Sequence, residues 1–370
     1  MKVSILPASI PYIDNPMPEW VDEWGVQLFT KVNISNYVGY GEVLIAGSGI
    51  ISAYIGVFED LIIPYLENVE VVSINEVVEK LEKMLYSAGL CSVTLGSIGG
   101  VETALWHAFS KMRNMKIYEF FGGKVRDYIP VYASFPRYKR INDIINAVKV
   151  AIDRGFTLVK LHQQPQMIED ALKKIREIFG FEIKIAIDFN SAFDYSSALS
   201  FLNKIHRYEI EWYEEPIYPP NDYDNLKRLA EKFPISAGEN EYTIHNFRKL
   251  IESGVEYVQP DISKIGGYLK MIKVIDLAES YGVKIIPHLR PQRSGIALFH
   301  TLQLALAKRN IVKVEFPLAQ IPSELFNAEF KINNGLVKVP EDVSLNEEIL
   351  REKYNFTRKL RILKFADLAT

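Results

Sequence analysis

The sequence predicts a protein of the α/β class whose main unit is a barrel of eight parallel strands. Eight short apolar runs follow one another from Val131 onward, at intervals of roughly 25 residues. Several of the segments between them repeat apolar residues with the period of an amphipathic helix. Strands that alternate with helices form parallel sheets, and eight repeats close a barrel. An open doubly wound sheet is the alternative, ranked lower because no glycine-rich phosphate-binding fingerprint follows a strand.

The composition is that of a globular protein with a large core, since 48% of the 370 residues are apolar and 24% are charged. The net charge of −3 gives no indication of a nucleic-acid or membrane-surface partner. The single cysteine, Cys91, excludes an intrachain disulfide. No apolar stretch reaches the length of a membrane span, and the opening apolar run is too short for a signal peptide. We expect a cytoplasmic protein with neither a nucleic-acid nor a membrane partner.

The region before the repeat predicts a separate α+β unit. Strands are expected at 25–33 and 37–44, and helices at 71–86 and 98–112, the second opening at Gly99-Gly100. The break at Gly122-Gly123-Lys124 suggests a boundary near residue 125. The predicted division is an N-terminal α+β unit at 1–125, a barrel at 126–327 and a C-terminal segment at 328–370 that packs back on the N-terminal unit.

The repeat itself gives the barrel elements in order. Strands are predicted at 131–134, 158–161, 183–188, 210–214, 235–239, 257–260, 284–288 and 312–315, and helices at 168–178, 196–206, 223–232, 244–253, 268–281 and 296–308. The tail leaves this pattern. Its stretch 330–339 predicts a hairpin that turns at Asn334-Gly335.

Three successive predicted strands end in a carboxylate, and these residues are the strongest indication of chemistry. Asp188, Glu214 and Glu239 are separated by 26 and 25 residues. A single acid at a strand end is more often a helix cap or a surface residue, but a consecutive series is not expected by chance. Clustered carboxylates repel one another, and a cation relieves that repulsion. Oxygen ligands suit Mg²⁺, with Mn²⁺ as the alternative.

Ionisable residues also end the neighbouring predicted strands. Lys160 and His162 share one face of their strand, and Asp261, His288 and Glu315 end the last three strands. A zinc site using the two histidines is an alternative, but it leaves the acids unexplained. Asp261 with His288 is typical of a base and its orienting acid. A hard cation beside such a pair fits removal of the proton next to a carboxylate, with His162 or Lys160 protonating a leaving hydroxyl.

The chain resembles the enolase superfamily, in its mandelate racemase/muconate lactonizing enzyme family and mandelate-racemase subgroup. The resemblance is carried by the motifs Gly39-Tyr-Gly-Glu42, Glu102-Thr-Ala-Leu-Trp-His107, Trp212-Tyr-Glu-Glu-Pro216, Gly238-Glu-Asn240, Gln259-Pro-Asp-Ile-Ser-Lys-Ile-Gly-Gly267 and Pro287-His288. It implies a modified TIM barrel, (β/α)7β, with an N-terminal α+β capping domain. It also implies a lid built from 11–24 and 46–53.

The resemblance assigns roles to these residues. Asp188, Glu214 and Glu239 match the metal ligands, Asp261 and His288 the His–Asp dyad, Glu315 an acid that hydrogen-bonds a substrate oxygen, and Lys160 a lysine near the substrate carboxylate. Asn190, Arg290 and Arg293 are candidate substrate contacts. The tail departs from the family pattern, having Pro340-Glu-Asp-Val-Ser344 where Pro-Gly-Leu-Gly is usual.

One departure points to the reaction. His162 stands where the family has a second lysine, which makes the chain similar to sugar-acid dehydratases. The expected activity is therefore that of a hydro-lyase, the Mg²⁺-dependent dehydration of an aldonic acid to a 2-keto-3-deoxy acid through an enediolate. The alternatives are a racemase or epimerase of a 2-hydroxy acid, and a sugar-acid-binding protein that has lost catalysis. The expected partners are a small-molecule sugar acid and further copies of this chain in a homo-oligomer.

Overall fold

The computed structural model describes residues 1–19, 24–45, 49–67, 69, 73–290 and 295–356. Its first part is an antiparallel sheet in the order β1 (Lys2–Ser9), β2 (Val26–Ile34) and β3 (Tyr37–Val43). The helices that follow are α1 (Ile51–Gly56), α2 (Ile63–Glu67), α3 (Ile74–Leu85) and α4 (Ser92–Arg113), with a π-helical turn at Val57–Ile62 between the first two and a 3₁₀ turn at Ile117–Phe121 after the last. The apolar faces of these helices pack on the sheet in one cluster.

The predicted start of the long helix is wrong, because α4 begins at Ser92 and runs through Gly99 and Gly100. These glycines serve close packing instead of a turn. A Cβ added at Gly100 would lie 2.6 Å from a methyl of Val43, and one at Gly99 would lie 2.9 Å from the backbone nitrogen of Gly267. The helix therefore approaches both the N-terminal sheet and the barrel at backbone distance.

Eight parallel strands form the predicted barrel. They are β4 (Tyr128–Ser134), β5 (Leu158–Leu161), β6 (Lys184–Asp188), β7 (Ile210–Glu214), β8 (Ile235–Ala237), β9 (Tyr257–Val258), β10 (Lys284–Ile285) and β11 (Val314–Pro317). Neighbours pair in chain order, and β11 pairs in parallel with β4. A parallel bridge between Ile285 and Ile311 joins the seventh strand to the chain leading into the eighth. The sheet thus closes on itself, which excludes the open doubly wound alternative.

Helices connect the first seven barrel strands to the strand that follows each of them. They are α5 (Ile141–Asp153), α6 (Pro165–Phe179), α7 (Tyr195–Ile205), α8 (Tyr223–Ala230), α9 (Ile244–Glu252), α10 (Ile262–Ile265), α11 (Tyr268–Ser280) and α12 (Ile296–Ala307). The chain leaves β11 without a further barrel helix, which confirms the (β/α)7β arrangement beside a small N-terminal sheet. Within the described ranges, no helix is long and apolar enough to cross a membrane.

The barrel interior is layered by the two-residue period of its strands. Tyr132, Leu158, Ala186 and Trp212 pack in a small buried apolar cluster. The residues two positions further along these four strands are Ser134, Lys160, Asp188 and Glu214. Because residues i and i+2 face the same side, the polar layer stands directly on the apolar one, toward the carboxyl ends of the strands.

The chain after the barrel returns to both parts of the molecule. The predicted hairpin is confirmed as β12 (Ile332–Asn333) and β13 (Leu336–Lys338), with φ of 48° at Asn334 and 71° at Gly335. Strand β13 pairs with β4, and α13 (Glu347–Lys353) follows. Glu347 accepts a hydrogen bond of 3.0 Å from the Tyr40 hydroxyl on β3. The predicted domain boundaries at 125 and 327 stay predictions.

Candidate active site

The three predicted metal ligands come together at the carboxyl ends of the barrel strands. One oxygen from each of Asp188, Glu214 and Glu239 lies within 4.8 Å of the others. Asp188 and Glu214 end β6 and β7 and are buried, whereas Glu239 lies two residues beyond β8 with 14% of its side chain exposed. Among the described residues this is the one group of His, Cys, Asp and Glu side chains that could hold a metal ion.

Lys160 lies among these acids with a side chain that is 0% exposed. Its Nζ is 2.6 Å from Glu214 Oε1, 2.9 Å from Glu315 Oε1 and 3.5 Å from Asp188 Oδ2. Burial by itself lowers the pKa of Lys160, but the charges of Glu214 and Glu315 outweigh burial and hold that pKa well above its usual value. Lys160 is therefore a buried cation that offsets part of the cluster's negative charge.

His162 contacts the first of the three acids. Its Nε2 lies 2.7 Å from Asp188 Oδ2, and its Nδ1 has no hydrogen-bond partner among the described residues. Burial and the neighbouring charge of Lys160 lower the pKa of His162 to about 4. The prediction that Lys160 and His162 share one face is confirmed, since both reach the same oxygen of Asp188.

Asp261 and His288 form the predicted pair. His288 Nδ1 lies 2.7 Å from Asp261 Oδ2, while its Nε2 lies 3.0 Å from Glu239 Oε2. The other oxygen of Asp261 accepts hydrogen bonds of 2.7 and 2.6 Å from the backbone nitrogen and hydroxyl of Ser263. Asp261 is thus fixed on both oxygens and orients the imidazole, so that Nε2 faces the acid cluster.

The pKa values of the three acids are shifted by burial and by the charges next to them. Burial raises the pKa of Asp188, and burial together with the charge of Asp188 raises the pKa of Glu214 to about 7. Burial also acts to raise the pKa of Glu239, but the adjacent His288 holds it well below its usual value. Two of the three acids therefore lie in surroundings that disfavour their charged form in the absence of a cation.

A divalent cation fits this donor set on the evidence of the side chains. The three candidates offer only oxygen, which suits a hard cation. Asp188 Oδ2 is buried and has no hydrogen-bond donor among the described residues, although it lies at ion-pair distance from two side chains. The predicted zinc alternative has less support, because His162 and His288 contact different carboxylates.

The predicted substrate contacts are placed differently from one another. The Asn190 backbone nitrogen donates a 2.8 Å hydrogen bond to Asp188 Oδ1, and the residue is exposed. Arg290 is 7% exposed, lies against the ring of Trp24 and donates a 2.9 Å hydrogen bond to that residue's carbonyl. Arg293 lies outside the described residues, as do 20–23 and 46–48 of the predicted lid. Contact with substrate stays a prediction for all three residues.

Three polar residues around the acids are absent from the predicted set. Gln259 Nε2 donates a 2.7 Å hydrogen bond to Glu214 Oε2, and Glu215 is 2% exposed directly behind the cluster. Asn240 bridges Glu215 and Glu239. Each stands within one or two residues of a predicted site residue, in Glu-Glu-Pro, Gln-Pro-Asp and Gly-Glu-Asn. Their position next to a strand end is the signal that could have indicated them.

The fold and site together define a capped α/β barrel with an acid cluster at its carboxyl face, and comparison with known families agrees. Residues 143–349, more than half of the chain, match the family described as "Enolase C-terminal domain-like". The chain therefore belongs to the enolase superfamily. A mandelate racemase/muconate lactonizing protein from Paracoccus denitrificans PD1222, solved in complex with magnesium, has the same fold with a TM-score of 0.80, at 21% identity over 96% of this chain and 98% of that one.

Two relatives within the superfamily are similar along most of their length. An arabinonate dehydratase from Saccharolobus solfataricus is 30% identical over 332 residues, which is 86% of this chain and 87% of the relative. A D-galactonate dehydratase from Pectobacterium atrosepticum is 29% identical over 357 residues, or 88% and 90%. Dehydratases are hydro-lyases, so the similarity to these two enzymes confirms the predicted enzyme class.

Proposed function

We propose that this protein catalyses the Mg²⁺-dependent dehydration of an aldonic acid to a 2-keto-3-deoxy acid through an enediolate. The observation that carries the proposal is the pairing of a three-carboxylate cluster with two imidazoles that contact different members of it. His288 contacts Glu239 through Nε2 and is oriented by Asp261 at Nδ1, while His162 contacts Asp188. The similarity to arabinonate and D-galactonate dehydratases supports the substrate class.

Asp188, Glu214 and Glu239 would hold the cation in this proposal. A bound Mg²⁺ supplies positive charge beside the substrate carboxylate, where negative charge develops when the neighbouring carbon loses its proton. Lys160 Nζ lies 2.6 Å from Glu214 and 2.9 Å from Glu315, so a charged donor and a further carboxylate stand beside the three acids. We assign Lys160 to the substrate carboxylate and Glu315 to a substrate oxygen.

The chain's own residues carry the proton transfers. Asp261 occupies His288 Nδ1, which leaves Nε2 as the atom that takes the C2 proton. The electron pair released at C2 forms the enediolate and then expels the hydroxyl at C3. His162 donates from its cationic form: Nδ1, which has no hydrogen-bond partner among the described residues, gives that hydroxyl its proton, so water leaves. The imidazole then returns to the neutral state that burial and Lys160 favour. The enol that remains takes a proton at C3 and loses one from its hydroxyl, giving the 2-keto-3-deoxy acid.

A library of acid sugars incubated with the enzyme and Mg²⁺ tests the reaction, with formation of 2-keto acid as the readout. Turnover of at least one aldonate is expected. Racemisation or epimerisation of a 2-hydroxy acid without any dehydration would contradict the proposal and favour the second activity on this scaffold. Binding of sugar acids, seen as thermal stabilisation with Mg²⁺ but without turnover, would contradict it in favour of a binding protein.

A second experiment tests the assignment of the base. His288→Asn should abolish exchange of the C2 hydrogen with D₂O, because the atom that accepts the proton is removed. His245→Asn is the matched control, since His245 is an exposed histidine on α9. Exchange that persists in His288→Asn would move the base to the side of Lys160 and His162.

A further inference from the structure

Glu239 is held differently from the other two acids of the cluster. Asp188 and Glu214 are the last residues of β6 and β7 and pair with each other across the sheet. Strand β8 ends at Ala237, and Gly238 follows with φ of 128°, a backbone conformation that L side chains rarely adopt. Glu239 therefore lies beyond the ladder, and its side chain needs other contacts to stay in position.

Among the described residues, two side chains contact the Glu239 carboxylate. His288 Nε2 lies 3.0 Å from Oε2, and Asn240 Nδ2 donates a 3.2 Å hydrogen bond to Oε1. The histidine is the proposed base and has to approach substrate through that same nitrogen. Asn240 is thus the contact that can hold Glu239 throughout a reaction cycle.

The orientation of the Asn240 amide is set by Lys264. The Lys264 ammonium lies 2.6 Å from Asn240 Oδ1, and an ammonium group can only donate hydrogen bonds. The amide oxygen therefore faces Lys264, which turns Nδ2 toward the acids. From there Nδ2 donates both to Glu239 and, at 2.8 Å, to Glu215 Oε2. A reversed amide would place an oxygen against two carboxylates and a donor against a cation.

We propose that Asn240 and Lys264 are positioning residues for the cation site, which hold the Glu239 carboxylate in its binding orientation. The inference rests on the proposed function, because it takes the three acids as metal ligands. Lys264 acts through the amide of Asn240, and Asn240 acts on Glu239 directly. The buried Glu215 carboxylate is the second anchor of the same amide and limits its rotation.

Metal affinity, measured on the metal-free protein by calorimetric titration with Mg²⁺ and Mn²⁺, tests the positioning role. Lys264→Met and Asn240→Ala should each weaken binding by about 10- to 100-fold, the usual effect of removing a residue that orients a metal ligand. Lys264→Arg keeps a cationic donor for Asn240 Oδ1 and should stay within a few-fold of wild type. Lys273→Met, an exposed lysine on the adjacent helix α11, is the matched control and should not change affinity.

The outcomes separate this inference from the function on which it rests. If the wild-type chain binds neither ion, the proposed metal site is wrong and the positioning role is wrong with it. If the wild type binds but Lys264→Met and Asn240→Ala bind equally well, the positioning role is wrong and the proposed function stands. Asn240 is exposed on a loop, so Asn240→Ala gives a decisive result even if Lys264→Met does not fold.

Discussion

Replacing Lys160 with methionine is the most direct test of how the acid cluster is balanced. The substitution keeps an unbranched side chain that is one heavy atom shorter and removes the charge from a position that is 0% exposed. At an effective dielectric constant of about 20, each of the two shortest ion contacts is worth about 6 kcal/mol of Coulomb energy. Much of that gain is offset by the cost of burying the ammonium, so the net destabilisation expected for breaking a buried pair is about 3–5 kcal/mol.

Denaturant unfolding of the metal-free protein, followed by tryptophan fluorescence, measures this loss. The matched control is Lys184→Met, because Lys184 pairs with Glu211 at 2.8 Å but leaves 56% of its side chain exposed. An exposed pair of this kind contributes about 0–1 kcal/mol. Added Mg²⁺ should recover part of the stability lost in Lys160→Met, since a cation bound by Asp188, Glu214 and Glu239 replaces the missing positive charge.

The result that would refute this reasoning is a loss in Lys160→Met no larger than that in Lys184→Met. Such a result would mean that the carboxylates around Lys160 take up protons at little cost, and that the lysine is not needed to balance them. A large loss that Mg²⁺ does not reduce would instead separate the ammonium from the proposed cation site.

Two further predictions concern the contacts of α4. Burial raises the pKa of Glu102 to about 8, so the folded protein keeps a proton that the unfolded chain releases near pH 4.3. As the pH rises between these two values, this group should lower the free energy of unfolding by about 1.4 kcal/mol per pH unit. Glu102→Gln removes the carboxyl group and should flatten the measured dependence of that free energy on pH. An unchanged slope would contradict the raised pKa. A Cβ at Gly41 would lie 2.1 Å from the carbonyl oxygen of Gly100, so Gly41→Ala should lower the stability of the protein by about 1–3 kcal/mol or more. Gly56→Ala is the control, because the nearest atom to its added Cβ lies at 3.9 Å. Thermal unfolding should show the control to be neutral or stabilised.

Much of the barrel could be predicted because its signals are local. The two-residue period of each strand, the helical period between strands and the interval of roughly 25 residues all lie in neighbouring residues. They predict the carboxyl end of each strand to within three residues, and strand ends of a parallel barrel meet at one mouth. From that rule we predicted that Asp188, Glu214 and Glu239 lie together, and in the structure one oxygen of each lies within 4.8 Å of the others.

The errors arose where a residue's role depends on a distant contact. Gly99-Gly100 resembles a helix start, yet both residues lie inside α4 because its neighbours come too close for a side chain. Asn240 and Glu215 carry no periodic signal, since the contacts that define them come from other strands and loops. Arg290 stays a predicted substrate contact, but no local pattern indicates the hydrogen bond that its guanidinium donates to the carbonyl of Trp24, 266 residues away along the chain.

Spacing and residue type along the chain were enough to predict the barrel and the residues near the carboxyl ends of its strands. The contacts between individual side-chain atoms could be read only from the folded chain. Lys160 contacts both Glu214 and Glu315. His162 contacts Asp188, whereas His288 and Asn240 contact Glu239. These pairings depend on how far the barrel strands are staggered and how far each side chain reaches, and neither distance is encoded within one segment of the chain.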